Sequence, residues 1–146
     1  MFTIGHGRRP AEELVECLGE ARVRTLVDVR RFPGSRRSPQ FGQAAIAESL
    51  RDAGIDYRHT DEWQTALAST LAAPTPCLMC AETPWQRWHR RLISELLVAR
   101  GHEVVHLIRP GERQPHRLFD QSEIREGTLY LCGAGRLRKV RPARNV

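Results

Sequence analysis

Lysine is almost missing from this chain: Lys139 is the only one among 23 basic residues. Arginine carries nearly all the positive charge, so an arginine cluster is less informative here than in a chain of ordinary composition. Long apolar runs are missing too. No stretch approaches the roughly 18 apolar residues needed to cross a bilayer. The N-terminus enters a strand-like run at once, without the basic start and long apolar stretch of a signal peptide. The chain is therefore expected to be cytoplasmic, with no membrane partner. Cysteine is sparse, and Cys17, Cys77, Cys80 and Cys132 lack the spacing of a small disulfide framework. Cys77 and Cys80 form a C-x-x-C, but no second pair completes a zinc site. In a strand, residues three apart point to opposite faces, so these two sulfurs should diverge. No metal is expected.

What is present is ordinary for a folded domain. The chain has 146 residues, 40% hydrophobic and 27% charged, enough to bury a core. Five of its six net positive charges sit in residues 136–146, which leaves the first 135 residues at +1. The reading is one α/β domain over 1–135 followed by a basic, mobile tail over 136–146.

Five stretches share one layout, a short apolar run followed by polar or small residues. They are Phe2-Thr3-Ile4 into Gly5-His6-Gly7-Arg8, Thr25-Leu26-Val27 into Asp28-Val29-Arg30, and Ile55-Asp56-Tyr57 into Arg58-His59-Thr60. The others are Cys77-Leu78-Met79 into Cys80-Ala81-Glu82, and Val104 to Ile108 into Arg109. Segments of helical period separate most of them: 10–21, 44–53, 63–73, and a long one from Pro84 to about Arg100. Thr83 should cap the last of these, and Gly101 should close it. This alternation predicts a mostly parallel sheet of about five or six strands, with ligands beyond the strands' carboxyl ends. Residues 31–42, rich in Pro, Gly and Ser, read as a long loop there. Pro110 to Gln121 reads as a polar connector, and Thr128 to Cys132 as a sixth strand or a hairpin arm.

Several residues at the tips could carry chemistry. Gly5-His6-Gly7 offers free amides to an anion or makes a tight turn. It is not a G-x-G-x-x-G dinucleotide fingerprint, and no cofactor is implied. Asp28 and Arg30 share a strand face; Asp28 reads as a clamp, and Arg30, with Ser35, Arg36 and Arg37 beyond it, as an anion-binding residue. Cys80, near a helix N-terminus and cationic neighbours, is a nucleophile with lowered pKa or a buried packing residue. Glu82 and His89 are candidates for moving protons. A C-x5-R oxyanion loop is excluded, because Gln86 stands where its arginine belongs.

The ordered set Thr3-Ile4-Gly5-His6, Asp28-Val29-Arg30 with Pro33 and Ser35-Arg36, Phe41, Tyr57, Leu78-Met79-Cys80-Ala81-Glu82, His89-Arg90 and Val105-His106-Leu107 resembles the bacterial family catalogued as domain of unknown function 488. The resemblance spans about residues 2–108. It implies a compact, three-layer Rossmann-like domain whose pocket is lined by His6, Arg30, Ser35, Arg36, Cys80, Glu82, His89 and Arg90, without implying a reaction or cofactor. Two departures stand out. Gly7 replaces the serine of T-I-G-H-S, and Trp88 replaces the first residue of Cys-His-Arg.

Three functional readings follow. The first is an enzyme, or a descendant of one, acting on a small anionic, phosphate- or nucleotide-like ligand. His6, Arg30, Ser35, Arg36 and Arg90 would bind, and Glu82, His89 and Cys80 would be catalytic. The second is a nucleic-acid-associated module. It would grip phosphates with the 31–42 loop and Arg136, Arg138, Lys139, Arg141 and Arg144, and stack bases on Trp63, Trp85 or Trp88. The third is a regulatory protein keeping an ancestral pocket without catalysis.

Overall fold

A computed structural model describes residues 1–34, 36–86, 88–133 and 135–140; of residues 63–66, 88 and 89 it describes the backbone alone. The alternation of apolar runs and helical segments becomes β1 (Phe2–Gly5), α1 (Ala11–Glu20), β2 (Thr25–Asp28), α2 (Gln43–Asp52), β3 (Asp56–His59), α3 (Trp63–Leu71), β4 (Pro76–Cys80), α4 (Trp88–Ala99) and β5 (Val105–Arg109). The chain continues with β6 (Glu112–Pro115), β7 (Ser122–Arg125), β8 (Thr128–Gly133) and β9 (Arg136–Lys139). Strands β1 to β6 form one sheet in the order β3-β2-β4-β1-β5-β6, parallel except for β6.

Strand parity sorts the core into two layers. Ile4, Leu26, Cys77 and Met79 pack on one side against Leu14 and Leu18 of α1 and Ile46 and Leu50 of α2. Val27 and Leu78 face the other side, against Leu67 of α3 and Ile93 and Leu97 of α4. Central strands β2 and β4 are buried almost throughout, with apolar middles, because both their faces are covered. The result is a three-layer, Rossmann-like α/β fold, as expected. Cys77 and Cys80 also diverge as expected, Cys77 into the α1/α2 layer and Cys80 toward Ile93.

The strand order places the crevice. The connections leaving β1 and β2 run toward the β3 edge, with α1 and α2 on one face. Those leaving β3 and β4 run toward β5, with α3 and α4 on the other. Neighbours β2 and β4 thus send their chains in opposite directions, which opens a hollow outside their carboxyl ends.

Three features differ from the sequence expectation. Helix α4 starts at Trp88 rather than at Pro84. Residues 83–86 are held out of the helix because Trp85 stacks on His106 at 4.3 Å and donates to Gln114 Oε1 at 3.0 Å. The Thr83 carbonyl meanwhile accepts from Arg90 Nη1 at 3.1 Å. The connector after Pro110 is partly β6, whose polar side chains suit an exposed edge strand and whose Pro115 is tolerated there. The hairpin it forms with β5 is tied to α1 by Gly111 and Arg113, which donate to Glu20. Of the two readings of the strand at Thr128 the hairpin arm holds: it pairs antiparallel with β7 and is the middle of a separate sheet, β7-β8-β9. Finally, the basic segment begins as β9, paired with β8, while residues 141–146 lie outside the described ones.

The small sheet explains why α4 is apolar on two sides. Ile93 and Leu97 meet the main sheet, while Leu96 and Ala99 meet Leu129 with Leu92, Ile124 and Val140 beside them. Its C-terminus ends as read from sequence. Gly101 takes φ 84°, its amide bonds the Val98 carbonyl, and the His102 amide bonds that of Leu97. Among the described residues, no helix is long and apolar enough to cross a membrane.

Truncating the fully buried Leu97 to alanine is expected to cost about 2–5 kcal/mol, whereas Leu137→Ala on the exposed edge of β9 should cost under about 0.5 kcal/mol. Urea unfolding of the two variants measures the difference; equal losses would contradict the layer assignment.

Candidate functional site

At the end of β2, Asp28 is completely buried and both its oxygens are filled. Oδ1 accepts from the Arg30 amide at 3.1 Å and Arg30 Nε at 2.8 Å, and Oδ2 from Arg30 Nη2 at 2.6 Å and the Tyr57 hydroxyl at 2.7 Å. Arg30 also donates through Nη2 to the Phe41 carbonyl at 2.9 Å and through Nη1 toward His6 Nε2 at 3.2 Å. Burial works against the Arg30 charge, but hydrogen bonding and attraction to Asp28 outweigh it and hold its pKa above the usual arginine value. Tyr57 is raised by burial and by its bond to Asp28, so it stays a phenol.

His6 is nearly buried beside Phe41, with ring centres 4.6 Å apart. Its Nδ1 bonds the Gly7 carbonyl at 2.9 Å and therefore carries the proton, leaving Nε2 to accept from Arg30. Burial is the main cause that lowers its pKa, and the Arg30 charge adds to it. His6 is accordingly a neutral imidazole.

The glycines at this tip serve close packing rather than an anion. A Cβ on Gly5 would collide with the Glu82 carbonyl, and one on Gly7, at φ +55°, with the Thr83 hydroxyl. The His6 and Gly7 amides bond the carbonyls of Cys80 at 3.0 Å and Ala81 at 3.1 Å, so neither is free for a ligand. Gly7 in place of serine therefore suits a left-handed backbone pressed against Thr83. Arg9 is occupied as well, with Glu13 at 3.2 Å and the Ile108 carbonyl at 2.7 Å.

These tips border a pocket of about 560 Å³, within the range of ligand sites. His6, Arg30, Cys80 and Glu82, four of the residues expected to share one hollow, line it together. So do Arg31, Phe32 and Asp61, which the sequence reading passed over. Arg31 was overshadowed by the arginines after it, and Asp61 lies just past the third strand tip, where the same layout rule would have found it. Phe32 is 76% exposed on the 31–42 loop.

The remaining candidates sit elsewhere. Arg36 is exposed and does not border the pocket. Arg90 is 3% exposed and its donors are spent on the Thr3 hydroxyl at 2.8 Å and on the Thr3 and Thr83 carbonyls at 3.1 Å. Ser35 and the side chain of His89 lie outside the described residues. The Cys80 thiol is pushed up in pKa, chiefly by burial, with the pull of Arg90 too weak to reverse it. Helix α4 also starts eight residues beyond Cys80, too far to activate it. Cys80 is therefore a thiol in the wall.

A second imidazole chain runs behind the pocket. Thr3 Oγ1 accepts from Arg90 Nε and so donates to His106 Nδ1 at 2.6 Å. His106 Nε2 must then carry the proton bonded to His116 Nδ1 at 3.0 Å. Burial pushes His106 down to about 3, and His116 is lowered by the same cause.

Fold and site together define a three-layer α/β domain with a ligand-sized crevice at its strand tips. Residues 10–66 match the family described as Domain of unknown function DUF488. No curated protein and no solved structure matches the chain.

Arg30→Met would leave Asp28 buried without its cation. A loss of about 3–5 kcal/mol in thermal or urea unfolding is expected, against under about 0.5 kcal/mol for Arg36→Ala. The lowered histidines set a pH dependence of definite sign. The unfolded chain takes up protons below about pH 6.5 while folded His6, His106 and His116 resist them, so stability falls as pH drops below that value. His106 contributes up to about 1.4 kcal/mol per pH unit, down to a pKa of about 3. A melting temperature that held or rose between about pH 7 and pH 5 would rule out neutral buried imidazoles.

Proposed function

We propose that the crevice at the carboxyl ends of β1 to β4 binds a small ligand with an anionic, phosphate- or nucleotide-like group, and that the protein is an enzyme or descends from one. The observation that carries this reading is the gathering of His6, Arg30, Arg31, Asp61, Cys80 and Glu82 around one pocket where the strand order reverses.

Within the pocket the roles divide by what each side chain has left to offer. Two sides of the Arg30 fork are engaged by Asp28 and Phe41, so Arg30 shapes the site and lends charge while Arg31 is the freer cation. Glu82 and Asp61 supply carboxylates on the same wall system, with Glu82 only partly exposed. Glu82 is the proposed proton-transfer group, with His89 its partner by sequence. Two carboxylates facing two arginines suit a ligand that pairs its negative end with hydroxyl or amino groups, rather than a bare polyanion.

The nucleic-acid reading has less support. The charges of β9 alternate between sheet faces, so Arg136 and Arg138 project to one side and Lys139 to the other.

A thermal-shift screen of inorganic phosphate, sugar phosphates and nucleotides should find a stabilising ligand. Arg31→Leu should weaken its binding about tenfold or more, and Glu82→Gln should preserve binding while abolishing any turnover. A panel without a single hit, or a hit indifferent to Arg31→Leu, would remove the proposal.

A further inference from the structure

A second cavity, of about 610 Å³, lies between α4 and the small sheet, away from the strand tips. Leu92, Leu131 and Val140 supply its apolar wall, and Arg91, Glu95, Arg138 and Lys139 its charges. Glu95 is fully buried. Its Oε1 accepts from the Phe119 amide at 3.2 Å and faces Arg91 Nε at 3.5 Å, while Oε2 has no hydrogen-bond partner among the described residues. Ser122 Oγ likewise has no partner among the described residues, and the pairing Ser122↔Leu131 puts it on the cavity side of the sheet. Buried polar atoms are nearly always bonded, and an unbonded carboxylate oxygen on a residue that lines a ligand-sized space points to something that bonds it.

The charges narrow its chemistry. Glu95 is already faced by Arg91. Arg138, which its pairing with Leu131 turns toward the same side, adds a positive charge at the exposed rim. A cationic amine is therefore disfavoured. What fits is a neutral N–H donor on a flat, largely apolar body with a negative group at its far end. We propose that this cavity binds a purine nucleotide, its base against Leu92, Leu131 and Val140, an N–H of the base donating to Glu95 Oε2, and its phosphate at Arg138. The site is separate from the strand-tip crevice and does not rest on the reading given for it.

Isothermal titration of the full chain with adenosine and guanosine monophosphates tests the assignment. At least one of them should bind. Leu131→Trp, which fills the cavity, and Arg138→Glu, on an exposed strand where folding is not at risk, should each weaken it about tenfold or more. Leu137→Ala, on the opposite face of β9 from Arg138, should leave it unchanged. The proposal is overturned by an absence of binding, by undiminished affinity in both cavity variants, or by displacement with equimolar inorganic phosphate.

Discussion

The buried pair of Asp28 and Arg30 organises the end of the molecule where the pocket lies. Burying both charges costs several kcal/mol each, and the cost is offset only if every lone pair and proton finds a partner. Here both Asp28 oxygens accept two bonds each, and the arginine fork reaches on to Phe41 and His6. The pair thereby ties β2 to β1 through His6, to β3 through Tyr57, and to the far end of the 31–42 loop through Phe41. The far end of the loop is thereby held to the sheet, while Phe32 near its start is turned outward.

Much of this architecture was legible because it rests on local periodicity. Apolar runs at β2 and β4 and helical stripes at Leu14 and Leu18 or Ile46 and Leu50 carry the α/β alternation by themselves. Strand parity alone separated Cys77 from Cys80, and Gly101 alone ended α4. What could not be read depends on partners distant in sequence. Thr83-Pro84 has the chemistry of a helix start, yet the stacking of Trp85 on His106 and the demand of buried Arg90 for carbonyls override it. The polar β6 and β9 carry no strand periodicity, because an edge strand needs only backbone pairing with its neighbour.

The site was legible in place more than in role. Strand-tip logic brought His6, Arg30, Cys80 and Glu82 to one hollow, since topology decides where carboxyl ends meet. Roles depend on what else each group bonds, and that is three-dimensional information. Arg90 looked like an anion ligand and instead solvates its charge with backbone carbonyls. Cys80 could be read as an activated nucleophile or a buried packing residue, and its thiol is desolvated, as the second reading has it. Burial of the carboxylate and hydroxyl at Glu95 and Ser122 likewise had no sequence signature, because each is an ordinary polar residue in its own element.

Gly5 and Gly7 leave no gap between the first strand's tip and the segment from Glu82 to Thr83, and two backbone bonds stitch the same seam. The Glu82 wall is therefore mechanically part of the sheet: it cannot swing without dragging β1 along. The 31–42 loop contributes Phe32, exposed at the pocket's border. One side of the hollow is thus fixed to the sheet, and the side chains it carries have their positions set by the strands.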